Sequence, residues 1–419
     1  MHLKKIIVIG GGAAGLMAAG TAAQHGCEVT LLERNEKLAR KLVITGKGRC
    51  NLTNNITNIN DLIANIPVNG AFMFGALSRF MPSDTIAFFE SLGVPLKTER
   101  GGRVFPVSNN SYDIVDALNR FIIKSKVKRV TARVVSLIIE NEKVMGAVTQ
   151  DGKSHMADAV IVATGGLSYP QTGSTGDGYD FAVQAGHAII KPKPSLVPLE
   201  CHEGWCSRAA GLTLKNINLT VTDTHKRADV FSGFGEMLIT HFGVSGPLVL
   251  SASSHMRDMK SGRYELHIDL KPALSYEQLD KRLLNEISEN SNKNTFNLLS
   301  NLLPKSLIPI AANLSKVNGT LKANSITKEA RQRIIETLKD IKLSVIDFRS
   351  IDEAVITSGG VSADEINPKT MESKLVKGLY FAGEVIDVDA YTGGFNLQIA
   401  FSTGALAGNS ACKQKEEEV

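Results

Sequence analysis

Lys4-Lys5-Ile6-Ile7-Val8-Ile9-Gly10-Gly11-Gly12-Ala13-Ala14-Gly15 opens a segment that runs to Glu33. The apolar, β-branched run up to Ile9 has the pattern of a strand buried on both faces. Gly10, Gly12 and Gly15 then form G-x-G-x-x-G. The first glycine permits a tight turn, the second lets backbone approach a pyrophosphate, and the third packs a helix on the strand. The Ala-rich segment Ala14 to His25 reads as that helix, with Gly26 as its stop. Its opening amides, including those of Ala13 and Ala14, point at whatever anion sits on the loop. Glu28-Val29-Thr30-Leu31-Leu32 reads as a second strand, ended by Glu33. That acid stands 23 residues after Gly10, where this unit places the carboxylate that accepts from a ribose hydroxyl.

A G-x-G-x-x-G alone is weak evidence, because glycine clusters mark ordinary turns more often than nucleotide sites. Strand, helix, second strand and acid all fall in place here, so a dinucleotide site is expected. Glu33 narrows its occupant. A carboxylate about 4 Å from a phosphate charge costs on the order of 1 kcal/mol in water and about 4 kcal/mol at an effective dielectric of 20. A 2′-phosphate is thereby disfavoured, leaving FAD or NAD rather than NADP.

The 419 residues, 43% hydrophobic and 21% charged, describe a soluble globular chain with room for two or three domains. The net charge of +5 is not gathered into one basic block, so nucleic acid is not expected as a partner. Five cysteines at 27, 50, 201, 206 and 412 give no C-x-x-C and no zinc spacing. They suit a reducing cytoplasm without disulfides, and no metal is expected. Lys4-Lys5 before an apolar run superficially resembles a secretory signal, but its removal would delete the phosphate loop. No segment reaches the roughly 18 uninterrupted apolar residues of a membrane span.

Arg40 to Asn54 carries four cations, two glycines and several short polar side chains, the composition of a loop that meets a polyanion through its backbone. Lys41, Thr45, Gly46, Gly48, Arg49, Cys50 and Asn51 are its candidate cofactor contacts, with Arg34 beside the acid; the Cys50 thiol reads as packed and inert. Ser83 to Leu92 reads as a helix capped by Ser83. Lys128 to Glu140, Val144 to Gln150 and Ser154 to Met156 read as a small antiparallel sheet, in which Val134 is a candidate adenine contact. Asp158 to Gly166 is another buried strand with a glycine pair, placing Ala163, Thr164 and Gly165 at its end. The second glycine cluster, Gly173 to Gly178, reads as a loop leading into a helix.

At Lys191-Pro192-Lys193-Pro194 the composition shifts. The expected division is 1–193 as the first part of a dinucleotide-binding domain, 194–345 as an insert, and 346–419 as the second part. Within the insert, 194–270 is β-rich, 271–330 helical and 331–345 a return. The insert has no second G-x-G-x-x-G, so a dedicated NAD(P)H domain is absent. His241, in Thr240-His241-Phe242, is a candidate proton donor, although a lone histidine is more often a structural hydrogen-bonder. Gly378 to Glu384 is a buried strand ending in Gly383 and an acid, Glu384. Glu384 or Asp387 could accept from a ribityl or ribose hydroxyl. Tyr391 is a second candidate proton donor. Gly394, Phe395, Asn396 and Leu397 open an Ala/Gly-rich helix whose amides suit the pyrimidine edge of a flavin, where negative charge grows on reduction. NAD has no such need, so FAD is preferred. The tail from Lys413 reads as a solvated charge run.

With Thr45-Gly46-Lys47-Gly48-Arg49-Cys50-Asn51-Leu52-Thr53-Asn54, Gly102-Arg103-Val104-Phe105-Pro106, Thr240-His241-Phe242-Gly243-Val244-Ser245-Gly246-Pro247, Gly383-Glu384-Val385-Ile386-Asp387 and Gly393-Gly394-Phe395-Asn396-Leu397-Gln398 added to the two glycine loops, the chain resembles the BaiN/RdsA-type NAD(P)/FAD-dependent oxidoreductases, from first strand to last helix. The resemblance implies an α/β fold: a two-part, Rossmann-like, glutathione-reductase-like FAD-binding domain with an inserted β-barrel plus α-helical domain. It also implies a family of mixed function, with enone reduction on steroid-like acids and aminoacetone-type amine oxidation both represented. The expected activity is flavin-mediated hydride transfer, with NAD(P)H reducing an activated C=C bond in a hydrophobic carbonyl compound. The alternatives are an amine oxidase producing peroxide, and a flavin-bearing RNA-associated protein without turnover. Any NAD(P)H docks transiently.

Overall fold

The computed structural model describes residues 3–413, so most of the expected C-terminal charge run lies outside the described residues. Two compact units are present, one running to Ser195 and resuming at Ile351, the other spanning Leu196–Ser350.

The first unit is built on a parallel five-stranded sheet, formed by β1 (Lys5–Ile9), β2 (Glu28–Glu33), β6 (Lys128–Thr131), β10 (Ala159–Val162) and β19 (Leu379–Phe381) in the order β19-β10-β1-β2-β6. Ile6 to Ile9 and Ala159 to Val162 are all buried, as strands covered on both faces must be. Register aligns Ile9 with both Leu32 and Val162, and Val162 with Phe381. Gly10, Glu33, Ala163 and Ala382 therefore stand side by side along the carboxyl edge of the sheet, where open α/β sheets bind ligands.

Helices α1 (Ala13–Gln24), α2 (Arg40–Ile44), α3 (Ile59–Ile63), α4 (Phe74–Leu77), α5 (Pro82–Ser91), α6 (Ser111–Lys124) and α7 (Asp177–Gln184) belong to this unit. So do two antiparallel sheets, β3 (Thr53–Asn54), β5 (Arg103–Pro106) and β4 (Leu96–Glu99), and β7 (Val134–Glu140), β8 (Lys143–Thr149) and β9 (Ser154–Met156). A ribbon of β11 (Ile189–Ser195) with β18 (Ile356–Val361) completes its strands.

Two local expectations are corrected. Ser83 does not cap its helix: Pro82 takes the first position, and the Met81 N–H donates to Asp84 Oδ2 at 2.7 Å. Lys128 to Glu140 is not one strand. It ends as β6 at Thr131, where Ala132 donates to the Glu33 carbonyl at 2.9 Å, and resumes as β7 in a different sheet. Alternation continues across the break, so periodicity could not locate it.

The second unit holds a closed barrel of β12 (Leu199–Cys201), β13 (Thr213–Asp223), β14 (Ala228–Ile239), β15 (Gly243–Ser245), β16 (Tyr264–Asp269) and β17 (Ile341–Phe348), in the order β12-β15-β14-β13-β16-β17. Along with it go α8 (Pro247–Ser253), α9 (Tyr276–Glu289), α10 (Thr295–Leu299), α11 (Ile308–Leu314) and α12 (Lys328–Lys339). Helix α9 starts on a capping box: Ser275 Oγ accepts from Gln278 N at 3.2 Å, and Gln278 Oε1 from Ser275 N at 2.9 Å. β17, after all these helices, closes the barrel against β12 and β16.

The last helix, α13 (Phe395–Cys412), lies in the first unit and packs along α1 backbone to backbone. A methyl group added to Gly404 would strike the carbonyl oxygen of Ala14, and one on Gly408 that of Ala18. The contacts advance together, so the helices run parallel. Their far ends consequently meet, and Cys27 and Cys412 are joined in a disulfide with Cα atoms 6.1 Å apart. This overturns the expectation of no disulfide, because a partner 385 residues away leaves no spacing signature. Among the described residues, no helix is long and apolar enough to cross a membrane.

Candidate functional site

Gly10 has φ +105°, and a side chain there would lie 2.5 Å from the Ala163 carbonyl oxygen. Gly15 packs against the Gly10 carbonyl. Gly12, the residue before α1, differs: a Cβ there meets nothing within 4 Å. The loop is thus closed on the protein side and open on the other, with Ala13 and Ala14 in the first turn of α1 behind it.

Glu33 is buried at the end of β2 and holds the loop. Its Oε2 accepts from Gly11 N at 2.6 Å, and its Oε1 from Asn35 N at 2.8 Å and Asn35 Nδ2 at 2.7 Å. Arg34, next to it, turns to the second glycine cluster, donating to Thr175 Oγ1 at 2.6 Å, to the Gly173 carbonyl and to Asp177 Oδ2 at 3.3 Å. Burial raises the Asp177 carboxyl, but hydrogen bonds from Arg133 and Thr175 and the charge of Arg34 outweigh it and hold the group below the ordinary carboxylate range. The second glycine cluster is tied down by arginines, with Asp177 opening α7.

The 40–54 segment enters beside the phosphate loop, where Ala39 N donates to the Gly11 carbonyl at 2.8 Å. The Thr45 hydroxyl donates to the Leu42 carbonyl at 2.6 Å, Gly46 lies against Asn51 N, and Gly48 faces open space. Arg49 is taken up elsewhere. Its guanidinium stacks 4.1 Å from the Phe105 ring centre, donates from Nε to Asn109 Oδ1 at 3.0 Å and pairs with Glu99. Cys50 is fully buried, and burial pushes its thiol up to about 12, so it is inert. Asn51, in the amide orientation that satisfies its neighbours, donates to the Thr53 and Val104 carbonyls at 3.2 and 3.3 Å and accepts from Gly394 N at 3.0 Å.

Lys41 meets Glu384 from the opposite end of the chain. Lys41 Nζ lies 2.5 Å from both Glu384 Oε2 and Ser168 Oγ, while Glu384 Oε1 accepts from Ser168 Oγ and Thr357 N, each at 2.9 Å. Three segments converge on that carboxylate. The motif residues Lys41 and Glu384 were visible in sequence, whereas Ser168 and Thr357 carried no signal beyond neighbouring glycine pairs. Gly383 N donates to Thr403 Oγ1 on α13 at 2.9 Å. Asp387 is buried, and Asn69 Nδ2 donates to its backbone carbonyl at 2.6 Å and to its Oδ2 at 3.0 Å. Val134 is buried at the start of β7, not at the end of a strand, paired with Thr149.

At the start of α13, a side chain on Gly394 would overlap the Thr53 carbonyl, and its N–H is already given to Asn51. Only the N–H groups of Phe395, Asn396 and Leu397 remain, by helical geometry, to face a ligand. The Asn396 carboxamide clamps the preceding loop, accepting from Ala390 N at 2.9 Å and donating to the Ala390 and Tyr391 carbonyls at 2.8 and 3.3 Å. Burial, with the charge of Asp389, raises the Tyr391 phenol. His241 lies in the second unit, exposed in the turn between β14 and β15, its ring edge-on to Phe242 at 5.0 Å. Ala163 N donates to the Ile9 carbonyl at 2.9 Å, and Gly165 lies beside Ser174. Two buried hydroxyls nearby, Thr164 Oγ1 and Tyr179 Oη, have no hydrogen-bond partner. Tyr179 is held protonated by burial and by the charges of Glu384 and Asp387.

A glycine loop after the central strand, with Glu33 and Glu384 on either side of it along the carboxyl edge of the sheet, is the plan of a dinucleotide-binding Rossmann domain, and a family model described as the HI0933-like protein Rossmann domain matches residues 4–410. The chain belongs to the HI0933-like Rossmann family. Its curated relatives in that comparison include a 3-dehydro-bile acid delta(4,6)-reductase of Clostridium scindens, 32% identical over 98% of this chain and 100% of the relative. A ribosomal RNA dihydrouridine synthase of Haemophilus influenzae is 33% identical over 97% of this chain and 98% of the relative. Among solved structures, the 3-ketosteroid-delta4-(5alpha)-dehydrogenase of Rhodococcus jostii RHA1 is similar in fold, with TM-score 0.51, 15% identity, and coverage of 98% of this chain and 97% of that one. The expected resemblance to BaiN/RdsA-type proteins and the expected fold class both hold for this HI0933-like chain.

Proposed function

We propose that the chain is an FAD-dependent oxidoreductase that passes a hydride, drawn from NAD(P)H, to a C=C bond conjugated with a carbonyl in a hydrophobic substrate. The observation that carries the cofactor reading is Gly12, whose approach side is empty in a loop packed tightly everywhere else. The residues present fit FAD in two further ways. Thr164 Oγ1 and Tyr179 Oη are buried hydroxyls that still need partners. The N–H groups of Phe395, Asn396 and Leu397, at the start of α13, are left without partners within the helix.

In this reading Gly12, Ala13 and Ala14 take the pyrophosphate, Glu33 the adenosine ribose, and Glu384 with Lys41 the flavin-side chain. Bound FAD supplies hydride acceptance and delivery. Phe395 to Leu397 direct N–H groups, with the positive end of the α13 dipole, to where negative charge grows. Tyr391, kept protonated by burial, is the first candidate to hand a proton to the substrate, and His241 the second. Arg49 is assigned no phosphate role, since Glu99, Asn109 and Phe105 occupy it. We place the enzyme in the cytoplasm, where the buried thiols of Cys50, Cys201 and Cys206 stay reduced.

The substrate class draws on the relatives' names. A 3-dehydro-bile acid with Δ4,6 unsaturation and the uridine ring both present a C=C bond conjugated to a carbonyl, so one hydride chemistry serves both. The hydrophobic enone is our leading substrate. A uridine base in RNA is the second reading, supported by the dihydrouridine synthase relative and by the positive charge, most of which falls in residues 196–350. The test is anaerobic NADH or NADPH oxidation with a 3-oxo-Δ4 steroid in one arm and ribosomal RNA in the other. Turnover in the steroid arm supports the first reading and in the RNA arm the second. Peroxide from a small amine without NAD(P)H would replace both by an oxidase.

A further inference from the structure

Helices α1 and α13 run side by side, with Gly404 of α13 against Ala14 in the first turn of α1. Their first turns follow Gly12 and Gly394, to which the proposed function gives the pyrophosphate and the flavin ring, and at the other end Cys412, the last residue of α13, meets Cys27 in the connection between α1 and β2. Between the ends the helices touch through backbone at Gly404 and Gly408. Two further contacts sit at the same far end, Lys4 Nζ to the Lys413 carbonyl at 3.2 Å and Cys412 Sγ to the Ala22 carbonyl at 3.0 Å. The two cysteines also differ from the other three. Cys50, Cys201 and Cys206 are buried, with their thiols pushed up by burial, whereas Cys27 and Cys412 are each partly exposed.

We infer that Cys27 and Cys412 form a reversible redox staple that fastens α13 to α1 and so couples the thiol poise around the protein to retention of the dinucleotide. The consequence for retention rests on the FAD reading; the staple does not. In the step itself one cysteine thiolate attacks a small-molecule disulfide such as oxidised glutathione. A protein–glutathione bond forms and one glutathione thiolate leaves. The second cysteine thiolate then displaces the other glutathione, so that the protein disulfide forms, two glutathiones are released as thiols, and the two protons lost by the cysteines are accounted for. Reduction reverses both exchanges. Joining residues 385 apart closes most of the chain into one loop, the arrangement in which a cross-link constrains the unfolded state most.

The experiment equilibrates the FAD-loaded full chain in glutathione buffers from fully reduced to fully oxidised. Samples are quenched in acid, and labels are counted by intact mass after denaturing alkylation. The reduced protein should take five labels and the oxidised protein three, with half-conversion at an intermediate ratio. The oxidised form should melt about 3 °C or more higher and release FAD about 3-fold or more slowly. Cys412→Ser and Cys27→Ser should each take four labels and match the reduced wild type in melting point and FAD release at every ratio, and wild type treated with a phosphine reductant gives the same comparison without substitution. Five labels in the most oxidising buffer would overturn the staple. Three labels with an unchanged FAD release rate would overturn the coupling. Three labels and a raised melting point in a protein that binds no FAD would sink the flavin reading and leave the staple standing.

Discussion

Gly12 and Gly15 belong to the same motif, yet their surroundings demand opposite responses to one added methyl group. At Gly12 the backbone is extended, with φ −81° and ψ −174°, a conformation alanine adopts freely, and a Cβ meets nothing within 4 Å. Gly12→Ala should therefore cost the cofactor-free protein about 1 kcal/mol or less, the penalty of alanine at a helix N-cap. At Gly15 the same methyl would overlap the Gly10 carbonyl oxygen and lie 3.4 Å from Ala163 Cβ. Gly15→Ala forces helix off strand and should cost about 1–3 kcal/mol through overpacking. Binding should separate the pair differently. A methyl on Gly12 holds a pyrophosphate off the α1 amides and removes one or two charge-assisted hydrogen bonds, each worth about 1.5–3 kcal/mol. FAD should then bind at least about 10- to 100-fold more weakly, at 1.4 kcal/mol per tenfold. Denaturant unfolding of both apoproteins, with FAD titration by flavin fluorescence, measures all four quantities. Wild-type FAD affinity in Gly12→Ala, or apoprotein destabilised as much as by Gly15→Ala, would refute the reasoning.

Other outcomes follow from the same geometry. Glu33→Ala orphans the Gly11 and Asn35 N–H groups and should lower apoprotein stability by about 1–3 kcal/mol in addition to weakening FAD, so a pure binding defect would contradict its structural role. Lys41→Met removes the cation from a pair whose side chains are 23% and 19% exposed; a loss of about 1–2 kcal/mol in urea unfolding, between a surface and a buried pair, is expected, and no loss would show that Glu384 is satisfied without it. Burial lowers the His187 pKa, with Glu365 opposing, so the unfolded chain takes up a proton near pH 6.5 before the folded one does. Stability from this residue is complete above that pH and falls as pH drops towards the folded value. The melting point of wild type should thus fall more between pH 7.5 and 5.5 than that of His187→Gln, and equal slopes would exclude the effect. Tyr391→Phe and His241→Ala should each retain FAD, and whichever is the donor should lose about 10²-fold or more in turnover.

The first βαβ unit was legible because each of its residues acts on a near neighbour: β-branched runs, a glycine loop and an acid at a set distance. The barrel was legible as a change in composition, although its closing strand, Ile341–Phe348, arrives after four helices and announces no partner. What escaped involves distant pairs. Arg49 reads as a phosphate ligand, and its contacts with Phe105 and Glu99 came to light only in the fold. Gly394 offers an amide until Asn51 accepts from it. Cys27 and Cys412 look solitary until two helices are laid parallel. Glu33 was read for the ligand alone, and its grip on Gly11 required the folded loop.

Flavin-mediated reduction of a conjugated C=C bond is tested most sharply by anaerobic mixing of FAD-loaded, chemically reduced protein with a 3-oxo-Δ4,6 steroid, followed at the flavin absorbance band. The band should return as the substrate gains two hydrogens across a conjugated double bond, with the product identified by mass. A protein that holds no FAD after reconstitution, or reduced flavin that is re-oxidised only when oxygen is admitted, would contradict it.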